Sequence, residues 1–167
     1  EAVTRLGEAR QAVDTWLTGM SDALQYYPGM QEARHRLLEK AVEQYQQFAT
    51  QPSDDPELNL ERGRAFLRLG DVQRLLNDSE GALRAYRKEQ EIAERLAAQD
   101  PTNARWQQDL SVSHDNVGNV LLAQEDAGGA LRAYRESLSV RERLAAQDPT
   151  NADWQRDLSV SHSKVGD

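Results

Sequence analysis

The sequence predicts an all-α protein built from antiparallel helix hairpins repeated in tandem. Three observations carry this. "RLAAQDPTNARWQQDLSVSHDNVGN" from Arg95 returns as "RLAAQDPTNADWQRDLSVSHSKVGD" from Arg143, an offset of 143 − 95 = 48 residues, with differences at five of 25 positions. "GALRAYR" at 81–87 returns at 129–135 with the same offset. Ala, Leu, Glu, Gln and Arg dominate, β-branched runs are nearly absent and only five prolines occur, a composition that favours helix over strand. Self-similarity at a fixed period marks a stacked array, because a single hairpin cannot bury its own apolar face.

Residues 1–51 form a leading hairpin. "RLGEARQAVDTWLTGMSDALQYY" reads as one amphipathic helix, "YPGM" as a turn, and "QEARHRLLEKAVEQYQQFAT" as a second helix. "QPSDDPE", 51–57, is the clearest punctuation in the chain and reads as a short loop. The array then occupies 56–167: repeat 1 at about 56–101, repeat 2 at about 102–149, and a truncated repeat 3 at about 150–167.

In the complete copy, the first helix runs from about Ala104 to Gln124. Its apolar stripe is Trp106, Leu110, His114, Val117 and Leu121, steps of four, four, three and four that hold one helical face. Pro101 sits at the preceding turn, with Thr102 or Asn103 as N-cap. "QEDAGG" ends this helix near Asp126, which caps the next. The second helix, about 127–147, carries Ala130, Leu131, Tyr134, Leu138 and Leu144 before "QDP" stops it.

The chain has 167 residues and a formal net charge of −8, from 28 acids against 20 bases. No basic stripe is present, so a phosphate backbone would be repelled and nucleic acid is not expected as a partner. With no cysteine, disulfides, thiolate metal sites and thiol nucleophiles are excluded. No apolar run reaches the length of a membrane span or of a signal-peptide core, so no membrane insertion is expected of this segment. Starting at "EAV" and ending at "KVGD", the chain reads as a fragment of something longer.

"DLSVSHDNVG", 109–118, places Ser113, His114 and Asp115 in a row, the side-chain types of a hydrolase triad. Adjacent helix residues point about 100° apart, so three in a row cannot converge on one proton path. The position of His114 is Phe66 one repeat earlier and His162 one repeat later, which identifies a packing slot. His35, between Arg34 and Arg36, reads as solvated surface. No His/Asp pair recurs at ligand spacing in both copies, and "SDDPE" and "LLNDSE" lack the alternating ligands and central glycine of a calcium loop. No metal, cofactor or catalytic residue is expected.

Phe66-x2-Leu69-Gly70, then Ala82-x3-Tyr86, then Pro101 resembles the tetratricopeptide repeat signature. The second copy gives His114-x2-Val117-Gly118, Ala130-x3-Tyr134 and Pro149, and the third begins His162-x2-Val165-Gly166. The chain departs from that family in having His where Trp is usual, and Gln73 or Leu121 where Tyr is usual. Its period is 48 instead of about 34. The excess lies at one end: about a heptad on the second helix and one on the start of the next first helix, roughly 10 Å each. Trp106 and Trp154 fall in this extension and are expected to fill it. Together with "EARQAVDTWLTGMSD", "YYPGMQEARHRLLEKAVEQYQQF" and "DDPELNLERGRAFLRLGDV", the chain is similar to the segment that follows the catalytic domain in large bacterial serine/threonine protein kinases, although it holds no kinase motif itself.

These resemblances imply a right-handed α-solenoid that serves as a protein-interaction module in a larger signalling protein, in a cytoplasmic or extracytoplasmic segment. The groove lined by first helices would present Asp71, Arg74, Asp115, Asn119, Leu122, Lys164 and Asp167 to a protein or peptide ligand. Asp115 stands where a carboxylate-clamp lysine would be expected, which argues against that mode of binding. The alternative is a structural spacer or self-association segment of a membrane-anchored kinase, whose open repeat ends stack on neighbouring copies.

Overall fold

The computed structural model describes residues 2–50 and 54–166. Among these, every regular element is helical and no strand occurs. Grouped by contact, the chain forms two compact units, Glu1–Glu89 and Gln90–Asp167.

The first unit opens with α1 (Ala2–Val13), a π-helical turn (Asp14–Thr18) and α2 (Gly19–Leu24), where the sequence predicts one unbroken helix. The π turn admits one extra residue and so rotates the faces of α1 and α2 against each other. Asp14, which opens it, is held by three side chains: Arg10 Nη1 at 2.7 Å, Arg68 Nε at 3.5 Å, and the Tyr45 hydroxyl, which donates to it. A turn containing Gly29 in the left-handed region (φ 83°) leads to α3 (Gln31–Ala49). Gln51, Pro52 and Ser53 of the predicted loop lie outside the described residues. Asp55 then caps α4 (Pro56–Leu75), accepting from the Glu57 N–H, with Pro56 at the first helical position where its missing N–H costs nothing. The core of this unit joins Val13, Leu38, Ala41, Tyr45, Leu69, Val72 and Ala85, with Phe66 packed against it.

α5 (Ser79–Gln99) begins in the first unit and ends in the second. The second unit continues through α6 (Ala104–Ala123), α7 (Ala127–Gln147) and α8 (Ala152–Val165). α6 and α7 match the helices that the periodicity predicts to within a residue. Asn103 is the N-cap of α6, accepting from the Trp106 N–H at 3.2 Å, and Asp126 caps α7 through the Gly129 N–H at 2.8 Å. The predicted stripe of α6 faces inward: Leu110, His114, Val117 and Leu121 are buried and Trp106 is half-buried. Ala93, Ala97, Leu110, Val140 and Leu144 form the core, and Ala104 and Trp154 pack on it.

The 48-residue period survives in atomic detail. Asp78 and Asp126 cap the second helix of each copy, each accepting from the glycine three residues on at 2.8 Å. Asp100 and Asp148 each bind the N–H and hydroxyl of the threonine two residues on. Asn77 and Glu125 occupy the left-handed region at φ 60° and 64°, closing the tight turn inside each hairpin.

Candidate functional site

The hairpin lock is the first element of the site. A Cβ added to Gly70 would lie 2.5 Å from Cε1 of Tyr86, and one added to Gly118 would lie 2.6 Å from Cε1 of Tyr134. Each glycine therefore lets an aromatic ring lie flat on the first helix. The Tyr86 hydroxyl donates to Asp71 at 2.8 Å, and the Tyr134 hydroxyl donates to Asn119 at 2.9 Å. Asp71 and Asn119 are equivalent positions, so two of the sequence-predicted groove residues tie the two helices of their own hairpins together. Burial raises the Tyr86 hydroxyl pKa well above its ordinary value, with the Asp71 charge adding to the rise. Tyr134 is raised for the same first reason, with the charge of Asp115 second.

Ser113, His114 and Asp115 engage three separate partners. The Ser113 hydroxyl is fully buried and donates to the Leu110 carbonyl at 2.7 Å. His114 Nδ1 lies 3.2 Å from Gln90 Nε2. Because an amide nitrogen only donates, His114 accepts at Nδ1 and carries its proton on Nε2. Burial lowers its pKa below the ordinary histidine value, opposed in part by the charges of Glu94, Glu136 and Asp115. Asp115 Oδ2 is 3.0 Å from Arg141 Nη2 and 2.8 Å from Lys164 Nζ. No serine–histidine hydrogen bond joins this trio, and among the described residues no group of three His, Asp or Glu side chains is placed to hold a metal ion.

The remaining groove residues divide by exposure. Arg74, Asn119 and Leu122 are exposed, and Leu122 keeps 53% of its surface in solvent. Asp71 is half-buried and is also 3.4 Å from Arg68. Lys164 reaches Asp115 while its Nζ sits 5.2 Å from the centre of the Tyr134 ring. Asp167 lies outside the described residues. His35 is exposed, as its sequence neighbours suggest, and faces Glu39 at 3.4 Å.

Three features escaped the sequence reading. Arg141 is buried on α7 and meets Asp115 on α6 and Ser161 and the Asp157 carbonyl on α8. Its equivalent one copy earlier is Ala93, so periodicity gives no hint of a charge there. Val112 and Val160, equivalent positions on α6 and α8, are both exposed, at 39% and 47%. Their shared offset of 48 was the signal that could have found them. In the first unit Trp16, Met20, Tyr26, Tyr27 and Met30 are all exposed around the π turn and the loop that follows α2. In the second unit a cavity of about 330 Å³ is lined by Pro101, Gln107, Val140, Arg143, Leu144 and Gln147.

No protein-family model matches the chain, and no curated protein matches it. Among the described residues no helix is long and apolar enough to cross a membrane.

Proposed function

We propose that the chain is a protein-interaction module of the tetratricopeptide type, a right-handed α-solenoid whose first helices present a binding face, within a larger signalling protein and without catalysis of its own. One observation carries this reading: Val112 and Val160 hold an apolar side chain in solvent at the same position of successive copies. Burial in the core accounts for Leu110, Val117, Val120 and Leu121 of α6, whereas Val112 and Val160 keep much of their apolar surface in solvent. Asn116, Asn119 and Leu122 continue that side of α6 and add amide groups and a further exposed apolar side chain. Apolar anchors bordered by amides, with Asp115 already neutralised by two cations, suit an uncharged amphipathic peptide better than an acidic or basic one.

The test is a peptide-display selection against the intact chain, followed by affinity measurement on variants. Val112→Glu with Val160→Glu weakens the selected peptides by about tenfold or more, as loss of a central apolar anchor does. Arg135→Glu on the exposed side of α7 leaves binding unchanged. Equal affinity for wild type and the Val112/Val160 double variant would defeat the reading.

A further inference from the structure

Near-identical repeats carry a hazard. The 143–167 stretch, which holds the end of α7 and all of α8, differs at only five of 25 positions from the 95–119 stretch, which holds the end of α5 and most of α6. An α6 segment from a second copy could therefore seat where α8 belongs, and exchanged or misregistered assembly is a characteristic failure of repeat proteins. Two of the five differences, Asp115 against Ser163 and Asn116 against Lys164, supply the two ends of one contact. Asp115 of α6 meets Lys164 of α8 at 2.8 Å, and Arg141 of α7 joins both helices by binding Asp115 at 3.0 Å and the Ser161 hydroxyl. The equivalents one copy earlier are Leu67, Ala93 and Asn116, a set without charge.

This cluster is a poor way to gain stability. Asp115 and Arg141 are 6% and 7% exposed, so both ions are taken out of water. Asp115 Oδ1 and Arg141 Nε have no hydrogen-bond partner, which leaves part of that desolvation uncompensated. An uncharged set, such as the sequence holds at the equivalent positions one copy earlier, avoids that desolvation. What the ions add is discrimination. An α6 segment placed on the α8 seat brings Asn116 where Lys164 stands and Asp115 where Ser163 stands. It removes a cation from the buried Asp115 and puts a carboxylate at the exposed position of Ser163.

We propose that Asp115, Arg141 and Lys164 form a pairing code: the α6–α7 hairpin selects its own α8 by charge and rejects the near-identical α6 segment of another copy. The partner that fits this surface is a helix carrying a lysine three residues after a buried serine and no acid beside it. This holds whatever ligand the exposed side of α6 and α8 takes.

The experiment refolds an equimolar mixture of ¹⁵N-labelled and unlabelled full chain from urea at high concentration and counts mixed-label dimers by native mass spectrometry. The wild type refolds as monomer. Lys164→Asp, which sets two carboxylates against Arg141, raises the mixed-label fraction about tenfold, the equilibrium shift that corresponds to roughly 1.4 kcal/mol. Asp115→Lys with Arg141→Glu and Lys164→Asp reverses every charge of the cluster and returns the chain to monomer, which separates selection from a mere failure to fold. Two results overturn the proposal. One is no rise in exchange for Lys164→Asp. The other is a loss of thermal stability in Lys164→Asp, reversed in the triple variant, with no mixed-label dimers at any stage, which would make the cluster a clasp and not a code.

Discussion

Replacing Gly118 by alanine tests the hairpin lock, because two effects of similar size oppose each other there. In a helix interior, alanine is favoured over glycine by about 0.8–1.0 kcal/mol. At Gly118, however, the new methyl would lie 2.6, 2.8 and 3.2 Å from three atoms of the Tyr134 ring, where ordinary contact begins near 3.4 Å. The ring cannot swing away freely, since Tyr134 is only 6% exposed and its hydroxyl is anchored to Asn119 at 2.9 Å. Overpacking of this kind costs about 1–3 kcal/mol, so Gly118→Ala does not stabilise and costs up to about 2 kcal/mol net. Gly128→Ala is the control. It is exposed near the start of α7, and its new methyl meets nothing closer than Arg132 at 3.7 Å, so the same substitution stabilises by about 0.5 kcal/mol. Urea unfolding followed by far-UV circular dichroism reads both. In a Tyr134→Leu background the ring is gone, and the penalty of Gly118→Ala falls below about 0.5 kcal/mol, a coupling that a double-mutant cycle isolates. If Gly118→Ala stabilises as Gly128→Ala does, the lock is not where the structure places it.

His114 sets a pH dependence whose sign follows from its lowered pKa. The unfolded chain takes up the proton first, so the stability held by neutral His114 is complete above the unfolded value near 6.5 and is lost as pH falls through the folded value. His114→Phe, which copies Phe66, changes stability by less than about 1 kcal/mol at pH 8 and flattens the loss below pH 6 in paired thermal melts. Glu125 adopts φ 64° where the other copy has Asn77, so Glu125→Asn stabilises by about 0.5–1 kcal/mol in urea titration, from relief of left-handed strain. Asn103→Ala strips the cap of α6 from the Trp106 N–H and costs about 1 kcal/mol, with the hydrogen-exchange protection of that first turn lost as well.

The repeated hairpin was legible because its physics is local. Apolar steps of three and four set the buried stripe of α6, "DPTN" and "QEDAGG" set its ends, and a second copy of "DPTN" confirmed the period. The π turn was not legible: Asp14 is held by Arg10, Tyr45 and Arg68, and two of those three lie on other helices. Six of the residues expected to line a groove lie on α4, α6 and α8, but their contacts were not foreseen. Asp71 and Tyr86, and Asn119 and Tyr134, are each 15 residues apart, so the recurrence of an acceptor and a hydroxyl at one spacing was available in the sequence. Asp115 was harder. It borders the buried stripe, its equivalents are Leu67 and Ser163, and the cations that neutralise it arrive from α7 and α8. Tertiary partners at long sequence separation leave no periodic trace.

The central claim is that function lies on the exposed side of α6 and α8 and not in the Ser113-His114-Asp115 stretch behind it. The direct test is amide chemical-shift mapping of the ¹⁵N-labelled chain titrated with a display-selected peptide. The account predicts shifts centred on Val112, Asn116, Asn119, Leu122 and Val160. Shifts centred instead on the cavity at Gln107 and Arg143, or on the exposed Trp16 and Tyr27, would contradict it.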